Sequence, residues 1–206
     1  MEQFHGPAPC GTISPEGGEI DDGDACFGDG GPSATLRQVT DAGEGGDLIW
    51  THATASATEA NFATWTLYFA EAGSYKVEAY TAHAYATSTQ ATYEVNTATA
   101  MTAATIDQSA VDGWQLLGTF DFAAGGNQSI HLGDNTGEAS SAMAQLVFDA
   151  VRLTRVDQGT GSGSDGSGSG SDFTGKPPHD GGGCSVGGGP GWLLALLVLV
   201  RRRRLD

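Results

Sequence analysis

From residue 47 to residue 157 the chain alternates apolar and polar side chains with a period of two, and this restricts what it can fold into more than any other feature. Ala63, Trp65, Leu67 and Phe69 fall on one side of an extended segment, with Thr64, Thr66 and Tyr68 on the other. A period of two separates the sets onto opposite faces of a strand, whereas a helix needs 3.6. The pattern returns in Tyr75, Val77 and Ala79 against Lys76, Glu78 and Tyr80, and in Ala91, Tyr93 and Val95 against Thr92 and Glu94. It returns again in Ile130 and Leu132 against Ser129 and His131. Residues 114–122 form a further strand between Asp112-Gly113 and Gly125-Gly126. Residues 146–153 are apolar on both faces and read as one central strand covered on both sides. Glu71-Ala72-Gly73 reads as a tight turn, which predicts a β-hairpin joining 63–69 to 75–80. Short strands, turn residues at regular spacing and no helical stripe longer than about two turns predict an all-β fold, an antiparallel sandwich of jelly-roll type.

Four zones follow. Residues 1–18 are an N-terminal extension, 19–157 the sandwich, 158–183 a Gly/Ser/Asp linker and 184–206 a tail. The linker has the composition of a flexible, disordered coil, with an end-to-end distance of roughly 25–30 Å for about 25 residues. In the tail a nine-residue apolar run, 192–200, precedes Arg201, Arg202, Arg203 and Arg204. It predicts a short hydrophobic helix, less than the roughly 20 residues that a bilayer span needs. The arginines act as a stop on the cytoplasmic side. Met1 to Ile20 shows neither the basic start nor the apolar run of a signal peptide. A membrane-addressed C-terminus without a leader fits the last part of a longer secreted chain.

The net charge is −16, and residues 1–157 hold 21 acidic against four basic side chains. Such a body repels phosphate backbones and excludes a nucleic-acid partner. The acidity serves as a soluble face for a secreted protein, or else binds calcium. Asp21, Asp22 and Asp24, spaced by one glycine, form an oxygen-rich loop able to wrap a structural Ca²⁺, although no glutamate stands at the twelfth position of an EF-hand. Asp134-Asn135-Thr136-Gly137-Glu138 is a second oxygen cluster. Plain turn chemistry is the favoured alternative for both. Cys10 and Cys26 lie sixteen positions apart in a loop-rich segment. They read as a disulfide, whose closure is worth roughly 3 kcal/mol, or as two free thiols.

No nucleophile elbow, HExxH, CxxC or phosphate-loop motif occurs, and His5, His52, His83, His131 and His179 lack metal-ligand spacing. Trp65 and Trp114 read as core residues of the sandwich, with Val77 and Val151. Trp50, beside Thr51 and His52, reads as a further core residue or as a candidate to stack on a sugar ring. Tyr80, His83 and Tyr85 lie where a strand runs into a polar stretch and can present rings in the same way, or can form an ordinary loop. Asp149 and Arg152 sit on an apolar strand, and Asp149 is expected to accept backbone or arginine hydrogen bonds there.

Two resemblances add to this. Residues 181–204, a Gly-flanked Cys184, a short apolar run and an arginine cluster, resemble the MYXO-CTERM sorting tails of myxobacterial surface proteins. That resemblance implies a membrane-embedded sorting protease as partner, processing near Cys184 and display at the cell surface or outer membrane after transient residence of the tail in the inner membrane. Asp21-Asp22-Gly-Asp24-Ala-Cys26-Phe27, Leu48-Ile49-Trp50-Thr51 and Ala63-Thr64-Trp65-Thr66-Leu67 occur in that order. Ala72-Gly73-Ser74-Tyr75-Lys76-Val77, Gly113-Trp114-Gln115-Leu116-Leu117-Gly118 and Phe148-Asp149-Ala150-Val151-Arg152-Leu153 follow them. This series resembles the golvesin/xanthan-lyase-type carbohydrate-binding-like domain. It implies a non-catalytic β-sandwich appended to a larger secreted protein, with polysaccharide or surface matrix as partner. The alternatives are a structural spacer or adhesin with no sugar ligand, and the C-terminal part of a secreted hydrolase whose catalytic domain lies upstream.

Overall fold

The computed structural model describes residues 10–156. The linker, the tail helix, Cys184 and Arg201 to Arg204 lie outside the described residues, as do residues 1–9. Among the described residues the fold is an antiparallel β-sandwich. One sheet runs β1 (Gly17–Ile20), β12 (Val151–Arg155), β6 (Gly73–Thr81), β9 (Gly113–Phe122). Facing it, the second runs β2 (Phe27–Gly30), β5 (Phe62–Phe69), β10 (Gly125–Gly133), β7 (Ala91–Asn96), β8 (Met101–Ile106). A third, smaller sheet runs β11 (Gln145–Phe148), β4 (Leu48–His52), β3 (Arg37–Val39). Every strand pairing is antiparallel.

The alternation read from the sequence is the burial pattern of the strands. Ala63, Trp65, Leu67 and Phe69 of β5 and Tyr75, Val77 and Ala79 of β6 are all buried in one core with Tyr93, Val95, Ile130, Leu132, Val151 and Leu153. Their removal from water is the main favourable term for the fold. Cys10 and Cys26 form a disulfide, with Cα atoms 4.8 Å apart, tying the N-terminal segment to the start of β2. Ile13 of that segment is also buried in the core.

Three expectations need correction. First, β5 and β6 do not form a hairpin. β5 pairs with β2 and β10, and β6 with β12 and β9, so residues 70–72 carry the chain from one sheet to the other. Alternation alone fits both arrangements, because it fixes which side of a strand is apolar and not which strand lies beside it. Phe69 and Tyr75, 4.8 Å apart between centroids, face each other across the end of the sandwich. Second, 146–153 is two strands. The chain breaks at Asp149-Ala150, leaving β11 in the third sheet and β12 in the first. The apolar character on both faces has a separate cause: Leu146 and Phe148 enter the main core, while Val147 enters a second cluster with Leu48, Ala82 and Ala86.

Third, Trp114 is not in the core. In β9 Phe122 and Phe120 lie opposite Gly73 and Tyr75, and Gly118 opposite Val77; then the register shifts, so that Leu116 pairs with Glu78 and Trp114 with Tyr80. The extra residue of this bulge moves Trp114 and Leu116 to the outer side, while Leu117 turns inward. A strict alternation would have kept Trp114 with Phe120 and Phe122.

Gln108, fully buried, closes the gap beside β11. Its Nε2 donates to Val147 O and to Tyr93 Oη, each at 3.0 Å, and its Oε1 accepts Val147 N–H at 2.9 Å. The side chain stands in for a missing neighbouring strand. Gln108→Ala would strand three buried polar groups and leave a cavity, and is expected to cost about 2–4 kcal/mol in urea unfolding at constant m-value.

Candidate functional site

The third sheet places its two faces differently. Ile49, Leu146 and Phe148 point into the main core. On the opposite face, register brings Arg37 and Val147 to either side of Trp50, Val39 beside Leu48, and His52 beside Gln145. Over part of this face lies the loop after β6. Ala82 and Ala86 are buried there with Leu48 and Val147, and Trp50, Tyr80, Tyr85, Val39 and Ala42 pack against them. Small side chains at 82 and 86 let the loop lie close. Gln145 holds it: its carbonyl accepts Thr87 and Ser88 N–H at 2.9 Å, and its own N–H donates to Thr87 Oγ1 at 2.8 Å.

Three of the four residues singled out for ring stacking therefore share one apolar patch: Trp50, Tyr80 and Tyr85, each half-buried. His83, in the same loop, is exposed, and its N–H donates to Asp112 Oδ1 at 3.0 Å. The patch continues through Trp114, which meets Tyr80 edge to face at 5.3 Å. Arg152 lies over Trp114 at 4.1 Å and donates to Glu78, which Lys76 also reaches at 3.0 Å. Burial tends to raise the Glu78 carboxyl, but hydrogen bonds from Lys76 and Arg152 outweigh it and hold the group below the usual range. Arg37 lies over Trp50 at 4.6 Å, and His52 meets the same ring edge-on at 5.2 Å. Sequence reasoning missed Trp114, Arg37 and Arg152 for this face. A one-residue bulge and cross-strand register put them there, and neither leaves a local sequence signal.

The acidic loop is arranged differently from the expected Asp21, Asp22 and Asp24 set. Asp21, Asp22 and Asp47 each bring one carboxylate oxygen to within 4.8 Å of the others. Asp24 instead accepts the Asp21 N–H at 2.9 Å, which is turn chemistry. Burial, then the charges of Asp47 and Asp21, push Asp22 up to about 7. An all-oxygen trio of this kind suits a hard cation such as Ca²⁺ and not zinc. In the second oxygen cluster the carboxylates serve as internal acceptors. Asp134 accepts Ala60 and Asn61 N–H and the Asn61 amide, at 2.7–3.0 Å. Glu138 accepts Ser88 Oγ–H, Thr89 N–H and Thr136 Oγ1–H.

One hydrogen-bonded chain has the order of a hydrolytic relay: Thr64 Oγ1 to His131 Nδ1 at 2.9 Å, and His131 Nε2 to Glu59 Oε2 at 2.8 Å. A nucleophile in such a relay needs backbone N–H groups aimed at a developing oxyanion. Thr64 sits in the middle of β5, paired with Gly28 on one side and His131 on the other, so the strand's N–H groups are committed to its ladders. Elsewhere, a hollow of about 390 Å³ beside the disulfide is lined by Ile13, Glu19, Asp24 and Thr66. It lies among different residues from the aromatic patch.

Two facing antiparallel sheets, with a third laid against their core and an aromatic face on its outer side, define the class of this protein as an antiparallel β-sandwich. Residues 37–155 match the family model described as the Golvesin C-terminal domain, and the chain belongs to that family. Among solved structures it is similar to a xanthan lyase from Paenibacillus, with 26% identity and a TM-score of 0.54 over 67% of this chain. The match takes in 13% of the lyase chain. It is also similar to a family 35 carbohydrate-binding module from Clostridium thermocellum, at 17% identity and a TM-score of 0.44, covering 66% of this chain and 98% of the module. No curated protein matches the chain.

Asp149 stands behind the site. Its carboxylate accepts Ala150 N–H at 2.8 Å and Glu44 N–H at 3.1 Å, as the sequence led us to expect for backbone partners, whereas Arg152 pairs with Glu78. Burial dominates and pushes Asp149 up to about 8, against the lowering effect of those N–H groups. The folded state thus holds this proton more tightly than the unfolded chain, where the carboxyl titrates near 3.8. Its contribution is fully present below pH 4 and is lost as pH rises towards 8. Unfolding free energy is expected to fall over that window by the order of a few kcal/mol, and Asp149→Asn to flatten the fall when melts are run from pH 4.5 to 9.

Proposed function

We propose that this chain is a non-catalytic, carbohydrate-binding accessory module of a secreted protein. The observation that carries the reading is the outward aromatic face built by Trp50, Tyr80, Tyr85 and Trp114 on a Golvesin-family sandwich. Rings held by packing against Leu48, Ala82, Ala86 and Val147 offer flat apolar surface with little entropy left to lose. Sugar rings bind such surface through their C–H faces. The likeness to a polysaccharide lyase supports the same ligand class. Because the matched part is a small share of that enzyme, it also supports the second reading, in which the module rides on a catalytic domain upstream.

The test is binding to a panel of neutral and acidic polysaccharides by affinity electrophoresis, followed by Tyr85→Ala and Trp114→Ala. Each substitution is expected to weaken retardation about tenfold while the protein still melts cooperatively. Retardation by no polymer in the panel, or variants that bind as the parent does, would remove the reading.

For display we propose that residues 181–204 act as a sorting signal, cut near Cys184 by a membrane-embedded protease, with Arg201 to Arg204 holding the tail in the inner membrane until then. Cys184→Ala is expected to release the protein into the medium or leave it unprocessed. Cell fractionation and intact mass measure this, and a variant anchored as before would refute the role of the thiol.

A further inference from the structure

Arg37 stands apart from the other cations of the fold. Among the described residues there are four cations, and three of them reach a carboxylate: Lys76 and Arg152 at Glu78, and Arg155 at Glu71. Arg37 reaches none, although the same residues hold 19 acidic side chains. Its guanidinium instead lies over the Trp50 ring at 4.6 Å, and Nη1 donates to Thr35 O at 3.1 Å. These contacts fix the plane of the group, while the residue stays exposed and the other N–H donors are uncommitted. A planar fork of donors, held flat and open to solvent, matches the two oxygens of a carboxylate.

The neighbours are also polar and underused. His52 lies edge-on to Trp50 at 5.2 Å, and its buried Nδ1 has no hydrogen-bond partner among the described residues. Gln145 is its cross-strand partner. We infer that the outer face of the β3–β4–β11 sheet takes a carboxylate-bearing sugar, a uronic acid unit, with Arg37 pairing its carboxylate over Trp50.

This rests on the carbohydrate-binding reading and narrows it to one ligand class. The net charge of −16 works against an anionic polymer at long range. Screening limits that repulsion to about 8 Å at physiological ionic strength, so selection falls to the contact itself. A lone guanidinium is sufficient there, since carboxylates elsewhere on the surface would not compensate a misplaced anion.

The full chain is tested against alginate, polygalacturonate and hyaluronan, each beside its carboxyl-reduced, neutral counterpart, by isothermal titration. At least one polymer is expected to bind tenfold or more tightly in the carboxylated form. Arg37→Gln should erase that preference, and Arg37→Lys, which keeps the charge and loses the fork, should leave a reduced one. Arg155→Gln, at a cation already paired elsewhere, should leave it unchanged. Equal affinity for both forms of every bound polymer, or a preference that survives Arg37→Gln, overturns the inference and leaves carbohydrate binding standing. Binding to neither form of any of the three, nor to the neutral panel, overturns both.

Discussion

Asp149 is the point at which the three sheets are joined. Its main-chain oxygen accepts the indole N–H of Trp65 at 2.9 Å, so the largest side chain of the core is oriented by the residue that ends β11. Its carboxyl caps Ala150 N–H and reaches Glu44 N–H in the loop before β4, and Ala150 O accepts Tyr80 N–H. One residue therefore lets the chain leave the third sheet, enter the first and fix the 41–47 loop. A buried carboxyl is costly unless it is hydrogen-bonded or protonated. Here both remedies apply, and the break in an otherwise continuous apolar strand is the consequence.

The outer face depends on that junction. Because β11 stops at Phe148, the small sheet can tilt away from β12 while Leu146 and Phe148 still fill the main core. Leu48 and Val147 are left pointing outward and need cover. The loop carrying Ala82 and Ala86 provides it, with Tyr80 and Tyr85 at its margins. A second, minor hydrophobic cluster thus sets the height and angle of the rings. Loops positioned by a rigid scaffold are where recognition concentrates, and here the scaffold is Gln145, whose backbone holds the loop on both sides.

An acidic surface would be expected to strain a small fold, yet several carboxylates work as connectors. Asp134 ties β10 to the 60–61 turn, Glu138 ties its own loop to 88–89, and Asp149 ties the sheets. Each accepts backbone N–H groups that no strand satisfies, which is how irregular segments stay buried without orphaned donors. The few cations are used as sparingly. Two meet at Glu78, one braces the crossover at Glu71, and two of the arginines cover tryptophans.

Period-two alternation in 63–69, 75–80, 91–95 and 130–132 was enough to establish strands, their buried faces and hence a sandwich, because side-chain direction in a strand is a local property. The Cys10–Cys26 pairing was legible for a similar reason, residue chemistry and place in the pattern, whereas the gathering of Trp50, Tyr80 and Tyr85 around one cluster was not. Neighbour relations were not. That 63–69 and 75–80 belong to opposite sheets, that a bulge at Leu117 turns Trp114 outward, and that Asp47 rather than Asp24 joins Asp21 and Asp22 are decided by contacts between residues far apart in the chain. Local patterning says which way a side chain faces; only the closed core, where each strand has one place left to pack, says what it faces.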